Sequence, residues 1–271
     1  MKLKVLTVMT NHNGYSKLLE SQLQNFNIEY KLLGFGEVWK GWDWRAKLLK
    51  EELKVTDETK YIVAIIDGFD VLLLENEETI LKKYNECNKD VVVSMNTIKK
   101  DSNNINIIIM DSFHRLLNGG IYIGNPKRII ELFDLVKIKY EKRISKNKFD
   151  DEIELNRFIK DELNKKWIDK YLHFDTESKL VYTDNPGHYM YYKKNPINIV
   201  DGKIVCEYKS SFVHTLGHFN KEIINYFDLI DNDYLYGNHR IQLNIKTLVE
   251  GIQYLNFVLL IFVVLVLIII D

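Results

Sequence analysis

Tyr61-Ile62-Val63-Ala64-Ile65-Ile66-Asp67-Gly68-Phe69-Asp70 is the stretch on which the fold turns. Six apolar residues, most of them β-branched, end abruptly at an aspartate. A short, unbroken apolar run of this kind fits a strand buried on both faces of a mostly parallel sheet. Ligands of open α/β sheets bind beyond the carboxyl ends of the strands, so Asp67 and Asp70 stand where chemistry is usually done.

Strand and helix signals alternate on both sides of this run. Leu3–Thr10 and Ile28–Leu33 read as strands, and Gly34-Phe35-Gly36 closes the second. Between them, Leu18, Leu19, Leu23 and Phe26 share one helical face, and Leu48, Leu49 and Leu53 do so in Trp44–Leu53. Asn76 is placed to cap a helix running to Cys87, and Asp90–Met95 is another buried strand. Asn118-Gly119-Gly120 interrupts the chain before a short strand, Ile121–Ile123. Pro126 starts a helix, a second follows from Asp150, and Ile204–Tyr208 and Ser211–His214 are late strands. The order predicts an α/β, Rossmann-like domain with a mostly parallel central sheet over residues 1–230.

Composition narrows the function. Hydrophobic residues make up 46% and charged residues 28%, and 37 Lys+Arg balance 38 Asp+Glu, so no global field draws the chain to nucleic acid. Cys87 and Cys206 lack metal-ligand spacing and do not form a disulfide framework. Met1–Val5 leads directly into a strand, without the apolar region and cleavage site of a signal peptide. Tyr254–Ile270 is almost wholly apolar and, at about 1.5 Å rise per residue, approaches the length of a membrane-spanning helix. The expected organisation is therefore a domain at 1–230, a connector at 231–253 and a single-pass anchor at 254–270. With no signal peptide, the domain is expected on the cytosolic side.

Three clusters carry the chemistry. Asp67 and Asp70 at a strand exit suit a hard divalent cation bearing phosphates, although a turn uses the same residue types. His214 follows an apolar run; beside the two aspartates it completes an oxygen/nitrogen set suited to manganese, and alone it reads as a structural histidine. Gly34–Trp44 holds Trp39, Trp42 and Trp44 among glycines, either a surface on which a base stacks or a packed loop. Lys47 follows and offers a positive charge for a diphosphate. Asp150-Asp151-Glu152 at a helix start also satisfies the helix dipole.

Taken in order, these blocks resemble the glycosyltransferase domain of the procollagen lysyl hydroxylases and related collagen-modifying glycosyltransferases. The likeness runs through Leu6–Thr10, Leu33–Gly41, Ile66–Val71, Leu117–Gly124, Asp150-Asp151 and Val213-His214, covering residues 3–220. It implies a GT-A-type nucleotide-sugar fold that uses Mn²⁺ and a UDP-sugar. It implies Asp67, Asp70 and His214 as metal ligands. Thr10, Trp39, Trp44, Lys47, Phe69 and Gly217 fall on the donor side, with Phe69 beside the uracil and Lys47 near the phosphates. Asn118, Asp150 and Asp151 fall on the sugar and acceptor side. The implied donor is UDP-glucose or UDP-galactose, and the implied acceptor is a glycan or a hydroxylysine-containing protein.

Two departures stand out. Trp44-Arg45-Ala46 replaces a longer glycine-rich family segment, and Thr215-Leu216-Gly217 replaces Gly-Asn-Gly, which removes an amide at Leu216. Two further classes draw on the same residues: a membrane-held nucleotide-sugar or glycan-binding module without turnover, and a metal-dependent phosphohydrolase using Asp67 and Asp70.

Overall fold

The computed structural model describes residues 1–95, 117–144, 151–184, 196–216 and 220–229. The chain divides into two units, Met1–Ile230 and Asp231–Asp271. The second unit, with the expected connector and the expected anchor at 254–270, lies outside the described residues. No helix among the described residues is long and apolar enough to cross a membrane.

The central sheet has six strands: β1 (Lys2–Val8), β2 (Glu29–Leu33), β3 (Tyr61–Asp67), β5 (Val91–Met95), β6 (Leu117–Gly124) and β7 (Leu172–Asp175), in the order β2-β1-β3-β6-β5-β7. β1 pairs in parallel with β2 and β3, and β5 pairs in parallel with β7. β6 runs antiparallel to both β3 and β5. The sheet is thus mixed but mostly parallel, as expected: five of its six strands run one way and β6 alone runs against them. Asn118-Gly119-Gly120 lies inside β6 rather than interrupting the chain before it.

β3 explains why the apolar run is continuous. Ile62, Ala64 and Ile66 face one core with Leu19, Leu23 and Ile80, while Val63 and Ile65 face the other with Leu49, Leu53 and Leu132. Helices α1 (Ser16–Asn25) and α3 (Glu77–Glu86) cover the first face. Helices α2 (Trp42–Val55), α4 (Pro126–Ile144) and α5 (Asp151–Lys160) cover the second. Burying each large aliphatic side chain of β3 contributes about 1.5–3 kcal/mol against an exposed reference. The Asn76 side chain accepts a hydrogen bond from the Thr79 N–H at 3.0 Å, capping α3 as its sequence predicts.

A smaller sheet joins β4 (Val71–Leu73), β11 (Phe212–His214) and β8 (Val181–Thr183) in the order β4-β11-β8. Its register sets His214 opposite Val71 on one side and Thr183 on the other. A 3₁₀ turn (Glu162–Asn164), helix α6 (Lys165–Tyr171), the hairpin of β9 (Ile197–Val200) and β10 (Lys203–Cys206), and helix α7 (Lys221–Tyr226) complete the described elements. Cys87 and Cys206 are free thiols.

Candidate functional site

Three side chains far apart in sequence converge where the two sheets meet. β3 ends at Asp67, the turn into β4 carries Asp70, and β11 delivers His214. Backbone bonds lock the junction: the Thr215 N–H donates to the Asp70 carbonyl at 2.9 Å and the Asp184 N–H to the His214 carbonyl at 2.7 Å. His214 Nε2 lies 3.2 Å from Asp70 Oδ2 and 3.7 Å from Asp67 Oδ2. One ligand atom from each residue lies within 4.8 Å of the others. That spacing fits a hard cation with bonds of roughly 2.0–2.6 Å, and the oxygen/nitrogen donor set fits as well.

Asn118 organises the histidine. Its Oδ1 accepts the Gly120 N–H at 2.9 Å, which fixes the amide, and lies 2.7 Å from His214 Nδ1. Nδ1 therefore carries the proton in that bond, and Nε2 is the nitrogen directed at the carboxylates, the arrangement in which the amide would orient a metal-binding imidazole. Gly120 is needed for a steric reason: a Cβ there would lie 2.6 Å from His214 Nδ1.

The centre is electrostatically tense. Burial raises the Asp67 carboxyl above its ordinary value; Arg45 opposes that rise and the Asp70 charge reinforces it. Burial works against a charged His214, yet the Asp70 charge and hydrogen bond, with the charges of Asp67 and Glu152, hold its pKa above the ordinary value. The two carboxylates that face Nε2 and raise the His214 pKa are the same negative charges that would attract a cation.

Arg45 and Glu152 are the residues that sequence reading passed over. The Arg45 guanidinium is buried and donates to Asp67 Oδ1 at 2.8 Å, leaving Oδ2 toward the other ligands. Lys47 is not brought there: its side chain is 73% exposed and pairs with Glu51 on the same helix at 3.8 Å. On α5, the Glu152 carboxylate accepts the Gly119 N–H at 3.4 Å, while one turn on, Asn156 bonds both backbone groups of Leu117 at 3.0 Å. This register turns Glu152 toward β6. Asp150 and Gly217 lie outside the described residues, as does the side chain of Asp151.

The aromatic loop is partly packed and partly open. Trp44 folds against Gly34, where a left-handed φ of 72° and the nearby indole exclude any side chain. Trp39 meets Trp42 and Trp44 edge-on at 5.4 and 5.6 Å, and both Trp39 and Trp42 remain exposed. Arg45 lies 5.7 Å from the Trp42 ring, so contacts run from this loop to Asp67. The Thr10 carbonyl accepts the Gly36 N–H at 2.8 Å, and the Phe69 carbonyl accepts the Tyr15 N–H at 2.7 Å, which ties the loop and the Asp67–Asp70 turn to the segment after β1.

Fold and site together define an α/β domain with a candidate cation centre at the end of a central strand. The chain belongs to the PLOD GT domain family, which it matches over residues 1–183, and is a glycosyltransferase-like domain of that family. It is 29% identical over 151 residues to human procollagen-lysine,2-oxoglutarate 5-dioxygenase 2, covering 49% of this chain and 20% of the relative. It is 34% identical over 93 residues to human multifunctional procollagen lysine hydroxylase and glycosyltransferase LH3, covering 31% of this chain and 12% of that protein. The chain therefore matches about a fifth or less of these relatives' lengths.

Among solved structures, it is similar to a glycosyltransferase involved in glycosylation of the major capsid of PBCV-1, with 11% identity and a TM-score of 0.46 over 80% of this chain and 95% of that one. It is also similar to the galactosyltransferase LgtC, with 12% identity and a TM-score of 0.43 over 87% and 99%. At these scores the likeness adds no weight to the assignment.

Proposed function

We propose that this domain transfers a hexose, glucose or galactose, from a UDP-sugar to an acceptor hydroxyl, with Mn²⁺ held by Asp67, Asp70 and His214. The meeting of two carboxylates and an imidazole at the end of β3, in a chain of the PLOD GT domain family, carries this reading. When bound, the cation supplies Lewis-acid stabilisation of the charge on the UDP leaving group.

The chain's own residues do the rest. Asn118 holds the His214 tautomer that leaves Nε2 for a metal. Arg45 fixes one oxygen of Asp67 and supplies the positive charge that family resemblance assigns to Lys47. Trp39 and Phe69 form the nucleotide side, with Thr10, Trp44 and Gly217. Glu152, with Asp150 and Asp151, supplies the acceptor-side carboxylates that orient the incoming hydroxyl or take its proton. Hydroxylysine-linked glycans or collagen-like chains are the proposed acceptors, in keeping with the relatives' names. Residues 254–270 are proposed to anchor the domain on the cytosolic face of a membrane, and protease should then reach the domain in sealed cytosol-side-out vesicles.

The decisive experiment is UDP release by the full chain from UDP-glucose and UDP-galactose, with and without Mn²⁺. Release from one donor should depend on manganese and vanish in Asp70→Ala while circular dichroism stays unchanged. Release that persists in Asp70→Ala would remove Asp70 from the centre. Leu216 in place of the family amide favours a second reading, a nucleotide-sugar-binding module, which manganese-dependent UDP binding without turnover of donor or acceptor would identify.

A further inference from the structure

Away from the Asp-Asp-His centre, α2 and α4 do not close completely over the sheet. They leave a cavity of about 550 Å³, floored by Leu49, Tyr122, Leu132, Phe133, Val136 and Leu155. The cavity opens to solvent on its lysine side, and its volume lies among small-molecule sites, roughly 300–1,000 Å³. The floor is apolar and the rim is not. Lys47, Lys50 and Lys54 line the cavity from one side of α2, at the spacing that stacks residues along a helix.

The rim cations are unequally engaged. Lys50 forms an ion pair with Asp134, and Lys47 meets Glu51 at 3.8 Å in open solvent, where such a pair is worth little. Lys54 has no ion-pair partner among the described residues. Asp43 and Glu51 also line the cavity, as does Arg45, so basic side chains outnumber acidic ones around it. An occupant that matches this wall has an apolar body and an anionic head.

We infer that the cavity between α2 and α4 is a second binding site, for a medium-chain amphipathic anion whose carboxylate or phosphate head meets Lys54 and whose chain covers the apolar floor. The site shares Arg45 with the cation centre but none of the three candidate metal ligands, and it does not depend on the proposed transfer reaction.

Titration calorimetry of the full chain with decanoate and with decyl phosphate, against neutral decanol, tests it. One-to-one binding of at least one anion is expected, with decanol about tenfold weaker, a factor worth about 1.4 kcal/mol. Lys54→Glu, on the exposed surface, should weaken the anion about tenfold, and Ala46→Phe, which fills the cavity from α2, should abolish the one-to-one component. Asp70→Ala should leave it intact. The tighter of the two anions names the head group. Absence of one-to-one binding, indifference to both cavity variants, or loss in Asp70→Ala would each overturn the inference.

Discussion

Along the β3–β11 side of the candidate site the charged groups are held from several directions, whereas along the β2–α2 loop the aromatic groups mostly touch one another. Asp67 meets both Arg45 and His214, and His214 meets both Asn118 and Asp70. His214 and Asp70 are also nearly sealed from solvent. The loop instead exposes Phe35, Val38, Trp39 and Trp42, with Val38 79% exposed. A cation centre works only if its ligands are placed before the ion arrives, so fixed neighbours are its requirement. A flat aromatic face tolerates small displacements of whatever stacks on it. The contrast predicts that changes on the first side act sharply and changes on the second act gradually.

Gly120→Ala should be the harshest of these changes. The added Cβ must push the His214 ring off Asn118, so metal-dependent UDP binding should fall below detection in calorimetry, with a stability loss of about 1–3 kcal/mol. Retained binding would mean that the ring can move without consequence. Asn118→Ala keeps the space but frees the imidazole, and Mn²⁺ affinity should fall about 10- to 100-fold. An affinity within twofold of wild type would show that the amide does not orient His214.

Acidification should act more mildly. The His214 pKa stands above its ordinary value, so below it the Nε2 proton must leave before a metal can bind. Mn²⁺ affinity should therefore decline as pH falls, by at most about tenfold per unit for one displaced proton, and level off above the His214 pKa. A pH-independent affinity, measured by calorimetry across this range, would show that His214 is not a ligand. Trp39→Ala belongs at the weak end: UDP affinity should drop several-fold, about 1 kcal/mol, at the low end of base-stacking energies. A loss as large as that of Asn118→Ala would erase the contrast between the two sides.

What the sequence disclosed depended on whether a feature was local. The β3 run, the aspartates at its end and the Asn76 cap follow from periodicity and neighbouring residues, and each stands where expected. The direction of β6 was hidden because Ile121-Tyr122-Ile123 alternates identically whichever way the strand runs. Asn118-Gly119-Gly120 looked like a turn because its true reason, the His214 ring, is 96 residues from Asn118. Arg45 was missed for a question of phase. Residues two apart on a helix point about 200° apart, so when α2 turns Arg45 inward it must turn Lys47 out. Glu152 likewise shares its acidic run with two neighbours, and the α5 register that turns it toward β6 is set by Asn156 and Leu117, 39 residues apart.

Leu216 adopts a left-handed backbone, φ 50°, a conformation that asparagine accepts readily and leucine does not. The backbone at this position is therefore already bent as an amide-bearing residue would take it, two residues beyond the His214 imidazole. Leu216→Asn would place a side-chain amide there without any new bend in the chain.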